Sequence, residues 1–192
     1  MDLLNRLPAT GAGFVWETER IPVLRPTTDG AVAAFTTRLG GVSNGPVGKL
    51  NMSMTAEQEH GDTVGFLRVF ANRDLASRAI GGAPKWSSVQ QVHGSDVVYA
   101  SGRRPPADAQ WTDEPDRTLA VVSADCVLVL AVGPMRIGVA HAGWRGMVAG
   151  VVERLVDAVE AEEVFAGPAI GPCCFEVGAE VTDEFRARYS DS

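Results

Sequence analysis

The chain holds three histidines, at positions 60, 93 and 141, and three cysteines, at 126, 173 and 174. Imidazole and thiol groups ligate transition metals, and side by side they form a nucleophile with its base. With so few of them, the setting of each matters. His93 lies in Gln90-Gln91-Val92-His93-Gly94 and His141 in Ala140-His141-Ala142-Gly143-Trp144-Arg145-Gly146. Both end strand-like runs beside glycines, where a backbone can approach a ligand closely. His60, in the polar run Glu57-Gln58-Glu59-His60-Gly61, reads as solvated. Cys126 follows Asp125 inside an apolar stretch, a setting in which a cysteine is also a common small hydrophobe.

Taken alone, these residues leave two chemistries open. One is a metal held by His93, Cys126 and His141. The other is a metal-free pair, with Cys126 as nucleophile and His141 as base. The three are dispersed and do not cluster as CxxC or HExxH. Three ligands with no evident fourth suit a catalytic metal site with an open position. Cys173 and Cys174 are neighbours, which strains a bridge between them, and they are assigned to packing.

Short strands must position these groups. Val127 to Val132 and Ile137 to His141 read as a hairpin joined by Gly133-Pro134-Met135-Arg136. Pairing them brings Cys126 to the same sheet end as His141, with Ile137, Val139 and His141 on one face. Further strands are expected over 31–37, 86–91, 96–99, 119–123 and 164–170. From Met147 to Glu160 the apolar residues Val148, Val151, Val152, Leu155, Val156 and Val159 fall at helical spacing, which predicts a helix. A second helix is expected from Asp62 or Thr63 to Ile80, stopped by Gly81-Gly82, and a third from about Gly178 to Tyr189. The class is mixed α/β with much antiparallel sheet.

The 192 residues suit one domain spanning 1–192. The net charge of −7 and the lack of a basic run argue against a nucleic-acid partner. Arg103-Arg104 reads as a solvated loop beside Pro105-Pro106. No stretch reaches the ~18 apolar residues of a membrane span, and the N-terminus does not read as a signal peptide. An odd number of cysteines favours a reduced, cytoplasmic protein.

Thr36-Thr37-Arg38-Leu39-Gly40-Gly41-Val42-Ser43, Leu50-Asn51, Gln91-Val92-His93-Gly94, Ala107-Asp108-Ala109 and Ser123-Ala124-Asp125-Cys126 follow one another in order. They continue into His141-Ala142-Gly143-Trp144-Arg145-Gly146 and Ile170-Gly171-Pro172-Cys173-Cys174-Phe175-Glu176-Val177-Gly178. This ordered set resembles the YfiH family, long labelled multicopper polyphenol oxidases or laccase-domain proteins and understood as purine nucleoside enzymes. The resemblance implies an α+β fold, a four-layer α/β/β/α sandwich with mixed, largely antiparallel sheets. It implies zinc on His93, Cys126 and His141. The implied activities are phosphorolysis of adenosine, inosine and methylthioadenosine, and hydrolytic deamination of adenosine. Ala56 to His60 intervenes before Gly61-Asp62, Val127-Leu128 replaces the family's Leu-Pro, and family members continue past the equivalent of Tyr189 with a strand-rich stretch.

On this reading the catalytic residues are Asp125, Cys126 and His141, with Asp125 as proton carrier or as an orienting neighbour of the ligand. Arg145, at the start of the predicted helix, and Arg38 offer charge to phosphate. Asn51 and Gln91 would read purine edges, and Trp144 would stack on a base or plug the core. Multicopper oxidation is rejected, because three histidines cannot build its copper cluster. Copper remains an adventitious occupant of the same ligands. The non-enzymatic alternative is a domain that binds a nucleoside or a partner and keeps zinc as a staple.

Overall fold

The structure, a computed structural model, describes residues 7, 9–44, 48–54, 64–83 and 85–190. It divides into two compact units, Met1–Pro84 and Lys85–Ser192. Helices with parallel and antiparallel strand pairs give the expected mixed α+β class.

In the first unit, β1 (Phe14–Glu17), β2 (Val23–Pro26) and β3 (Phe35–Thr36) form an antiparallel sheet in that order. The strand expected over 31–37 is only the two residues of β3, and β1 and β2 were not foreseen. Helix α1 (Gly65–Ile80) ends where the sequence predicts. Gly81 turns left-handed at φ 73°, and the Gly82 N–H returns to the Ser77 carbonyl at 2.9 Å. The start expected at Asp62 or Thr63 lies outside the described residues, as does His60. Asn72, fully buried on α1, donates to Ser43 Oγ and to the carbonyls of Lys49 and Asn51, and accepts from the Val42 N–H. One amide thereby ties the Gly-rich loop after β3 to the helix.

The second unit contains β4 (Lys85–Ser88), β5 (Val97–Tyr99), β6 (Ala109–Thr112), β7 (Arg117–Ala120), β8 (Val127–Val132) and β9 (Ile137–Ala142). Helices α2 (Trp144–Val148) and α3 (Val151–Val159), strand β10 (Glu163–Ala166) and helix α4 (Ala179–Tyr189) follow. Five strands form one sheet in the order β10-β8-β9-β6-β5, and β4 and β7 make a separate parallel pair. The predicted hairpin is present, with Leu128 opposite His141 and the Gly133 N–H on the Arg136 carbonyl at 2.9 Å.

The two faces of this sheet do different work. Ala140 and Ala142 join Ala109, Val129 and Ala131 in the core against Val151, Leu155 and Val159 of α3. Each fully buried Val or Leu contributes about 1.5–3 kcal/mol. By strand alternation, Val139 and His141 point to the opposite face. The helix predicted from Met147 to Glu160 is interrupted, because Gly150 adopts φ 85°, which a helix cannot continue, and α2 instead begins at Trp144. Strand β6 was not foreseen. Its fully buried Gln110 donates to the carbonyls of Ser87 and Ala120 and accepts from Ser87 Oγ, stitching the β4–β7 pair to the large sheet.

Candidate metal centre

Three chain segments meet at one end of the β8–β9 pair. His141, on β9, is almost fully buried and sits opposite Leu128. Cys126 precedes Leu128 by two residues and so shares its face. His93 arrives from the turn between β4 and β5. The ligand atoms of His93, Cys126 and His141 all lie within 4.8 Å of one another, and the two imidazoles meet edge to face with centroids 4.7 Å apart. His141 is buried, Cys126 half-buried and His93 exposed, so the centre opens to solvent on the His93 side.

The candidate ligands are held by identifiable partners. Gln91 grips the backbone of Val122 with both ends of its amide, Nε2 donating to the carbonyl at 2.7 Å and Oε1 accepting from the N–H at 2.9 Å. This ties the His93 turn to the segment that leads into Cys126. His93 itself takes φ 59°, a left-handed conformation uncommon outside glycine. Asp108, fully buried just ahead of β6, accepts the backbone N–H groups of Val92, His93 and Gly94 and lies 2.8 Å from His141 Nδ1. Burial alone would raise its pKa, but these hydrogen bonds outweigh it and hold the carboxyl below its ordinary value.

The residues fit a metal. Two imidazoles and one thiol are a donor set for a borderline transition ion. A Cβ on Gly143 would stand 3.0 Å from His93 Cδ2, 3.4 Å from Cys126 Sγ and 3.5 Å from His141 Cε1, so the glycine keeps clear a space that all three ligands border. At Gly146 a Cβ would meet the Gly94 carbonyl at 2.6 Å, so α2 can approach the His93 turn only as glycine. Burial pushes the Cys126 thiol up. A hydrogen bond with Ser123 opposes this, while the charges of Asp125 and Asp108 add to it. That is the reverse of what an unassisted nucleophile needs.

A family model described as multi-copper polyphenol oxidoreductase laccase matches residues 32–192. The chain is 39% identical over 174 residues to the purine nucleoside phosphorylase YfiH of Escherichia coli, covering 84% of this chain and 68% of the relative. The chain is a YfiH-family protein. A purine nucleoside phosphorylase of Pseudomonas aeruginosa is 39% identical over 167 residues, covering 83% of this chain and 66% of its own length. The crystal structure of YlmD from Geobacillus stearothermophilus superposes with a TM-score of 0.77 at 32% identity, over 91% of this chain and 72% of that one. The chain spans about two thirds of the length of the curated relatives it matches.

The other residues singled out in this YfiH-family sequence fall in different places. Asp125 is exposed. Among the described residues its carboxylate makes no hydrogen bond, and its carbonyl accepts from the Ile170 N–H at 2.9 Å. Arg145 is exposed with its guanidinium 4.2 Å over the Trp144 ring, and among the described residues it forms no ion pair. Gln91, expected at a purine edge, has its amide engaged by Val122. Arg38 and Asn51 belong to the first unit. Arg38 is exposed, while Asn51 is buried with its side-chain oxygen on the Ser53 N–H. Cys173 and Cys174 correct the packing assignment. Both are exposed, with sulfurs 3.2 Å apart, because the turn after Gly171 carries them out to solvent. In the sequence Asp108 stands out only as part of the Ala107-Asp108-Ala109 motif. The signal that could have found it is an aspartate between two alanines, Ala107 and Ala109, at the head of a buried strand. Among the described residues no helix is long and apolar enough to cross a membrane.

Proposed function

We propose that the chain acts on purine nucleosides beside a zinc ion held by His93, Cys126 and His141, cleaving the glycosidic bond with phosphate. The observation that carries this reading is the meeting of the three ligand atoms within 4.8 Å, in a chain whose relatives are named purine nucleoside phosphorylases. Held by these two imidazoles and the thiolate, zinc would supply a Lewis acid beside the substrate. In phosphorolysis a phosphate oxygen bonds to the sugar C1′ while the bond to the purine nitrogen breaks and the base leaves with a proton. Asp125, exposed beside Cys126, is the residue we assign to carrying a proton at the base. Arg145 offers a cation to phosphate in a protein of net charge −7, and Arg38 is a second such residue in the first unit. Deamination of adenosine would use the same ligands, with water in place of phosphate.

One observation favours a second reading, the metal-free cysteine hydrolase. The chain Asp108–His141–Cys126 orders an acid, an imidazole and a thiol as a nucleophile site does. It leaves His93 without a role, and the raised thiol pKa opposes it.

Metal analysis followed by a nucleoside panel tests the proposal. About one zinc per chain is expected, lost in Cys126→Ser and His93→Ala and kept in His60→Ala. Free base should form from adenosine or inosine only when phosphate is present, whereas inosine from adenosine without phosphate marks deamination. Full zinc retention in Cys126→Ser would remove the metal reading. Fast alkylation of Cys126 in metal-loaded protein would favour the free nucleophile.

A further inference from the structure

We propose that Asp108 is the positioning residue of the metal centre, a single carboxylate that sets the orientation of two ligands at once. The inference rests on the metal reading above and concerns a residue that contributes no bond to the metal.

The geometry assigns each oxygen of Asp108. Oδ2 accepts from the Val92 N–H at 3.1 Å and the Gly94 N–H at 2.7 Å. Oδ1 accepts from the His93 N–H at 3.0 Å and stands 2.8 Å from His141 Nδ1. Three successive backbone N–H groups therefore converge on one buried carboxylate, which stabilises the left-handed turn that carries the His93 ring. The fourth contact fixes His141. An ionised carboxylate only accepts hydrogen bonds, so Nδ1 carries a proton, and in the neutral imidazole it is then Nε2 that keeps the lone pair. Oδ1 is thus shared between the backbone of one ligand and the ring of another.

The fold makes this possible through register. The His141 N–H donates to the Asp108 carbonyl at 2.8 Å, which continues the β6–β9 pairing one step beyond Ala109 opposite Ala140. Asp108 and His141 are cross-strand neighbours and point to the same face, away from α3. The turn holding His93 then closes over that face. A buried carboxylate with four N–H donors has no capacity to spare, and an amide cannot replace it. Asparagine would accept at its oxygen but aim an NH₂ group at the donors on the other side. Asp108→Asn must break either the His141 pair or the turn.

The test compares wild type with Asp108→Asn, each stripped by a chelator and titrated with zinc against a competing chelator. Carboxylates that orient a ligating histidine are worth about 10–100-fold in metal affinity, and a loss of that size is expected. The cobalt-substituted variant should also show altered ligand-field and thiolate charge-transfer absorption, which a loss of fold stability alone would not produce. A folded Asp108→Asn protein with affinity within about threefold of wild type and an unchanged cobalt spectrum would overturn the proposal. Should that variant fail to fold, nitrogen-15 spectra of wild type decide. His141 must carry its proton on Nδ1 with or without zinc, and metal or a lone pair at Nδ1 would overturn the assignment. If wild type takes up no metal under any loading condition, it is the metal reading that fails, and the tautomer measurement still tests Asp108.

Discussion

A left-handed backbone at a residue with a side chain costs about 1–3 kcal/mol, and His93 carries that cost at φ 59°. Glycine would adopt the turn freely but brings no imidazole. The surroundings must therefore hold the residue there, and the three N–H groups on Asp108 do so. Gly143 makes the complementary demand, since any side chain there intrudes among the ligands. In Gly143→Ala the added methyl would press on the His93 ring at 3.0 Å. His93 is exposed and its ring can swing aside, so the metal-free protein should melt within a few degrees of wild type. Metal affinity should nevertheless fall by about tenfold or more, because the displaced ring no longer faces Cys126 and His141. Chelator competition reads the loss, and an unchanged affinity would show that the ring has room to spare.

At the level of elements, Glu114 gathers Lys85 from β4, Arg117 from β7 and Tyr99 from β5 around one carboxylate. Hydrogen bonds from Lys85 and then Arg117 hold its pKa at about 2 against an ordinary value of 4.5. A lowered carboxylate pKa contributes stability that is fully present above about 4.5 and disappears as the pH falls through about 2. Glu114→Gln should therefore lose stability at neutral pH and show a shallower decline than wild type between those values, measured by urea unfolding at a series of pH values. Parallel profiles would mean the cluster contributes nothing. Strands β8 and β9 were legible as short apolar runs on either side of Gly133-Pro134-Met135-Arg136, and the apolar face of α3 by its helical spacing. Strand β6 was not, because Ala109-Gln110-Trp111-Thr112 buries a glutamine whose partners, Ser87 and Ala120, come from distant segments. With β6 unread, Asp108 had no register, and its place opposite His141 stayed hidden. The three candidate ligands were legible through scarcity and motif, and the fold brings them together. Their supports were not, because backbone N–H groups carry no residue type, and Gln91 grips Val122 only once both segments have folded.

Across the whole molecule, every proposed ligand and its support falls in the unit Lys85–Ser192, together with the core around α3. A fragment of residues 85–192 is therefore expected to fold and to bind about one zinc with an affinity close to that of the full chain, read by circular dichroism and metal titration. A folded fragment that binds no metal would show that the first unit contributes to the centre. The order of ligands along the chain has a further consequence. His93, Cys126 and His141 all precede α3, whose Val151, Leu155 and Val159 cover the back of the sheet. During synthesis the complete ligand set leaves the ribosome before the helix that covers the sheet. A cation captured at that stage would draw three separated segments together and reduce their loop entropy before much apolar surface could be buried. In the newborn chain the metal would then act as a template for the sheet, ahead of any role in chemistry.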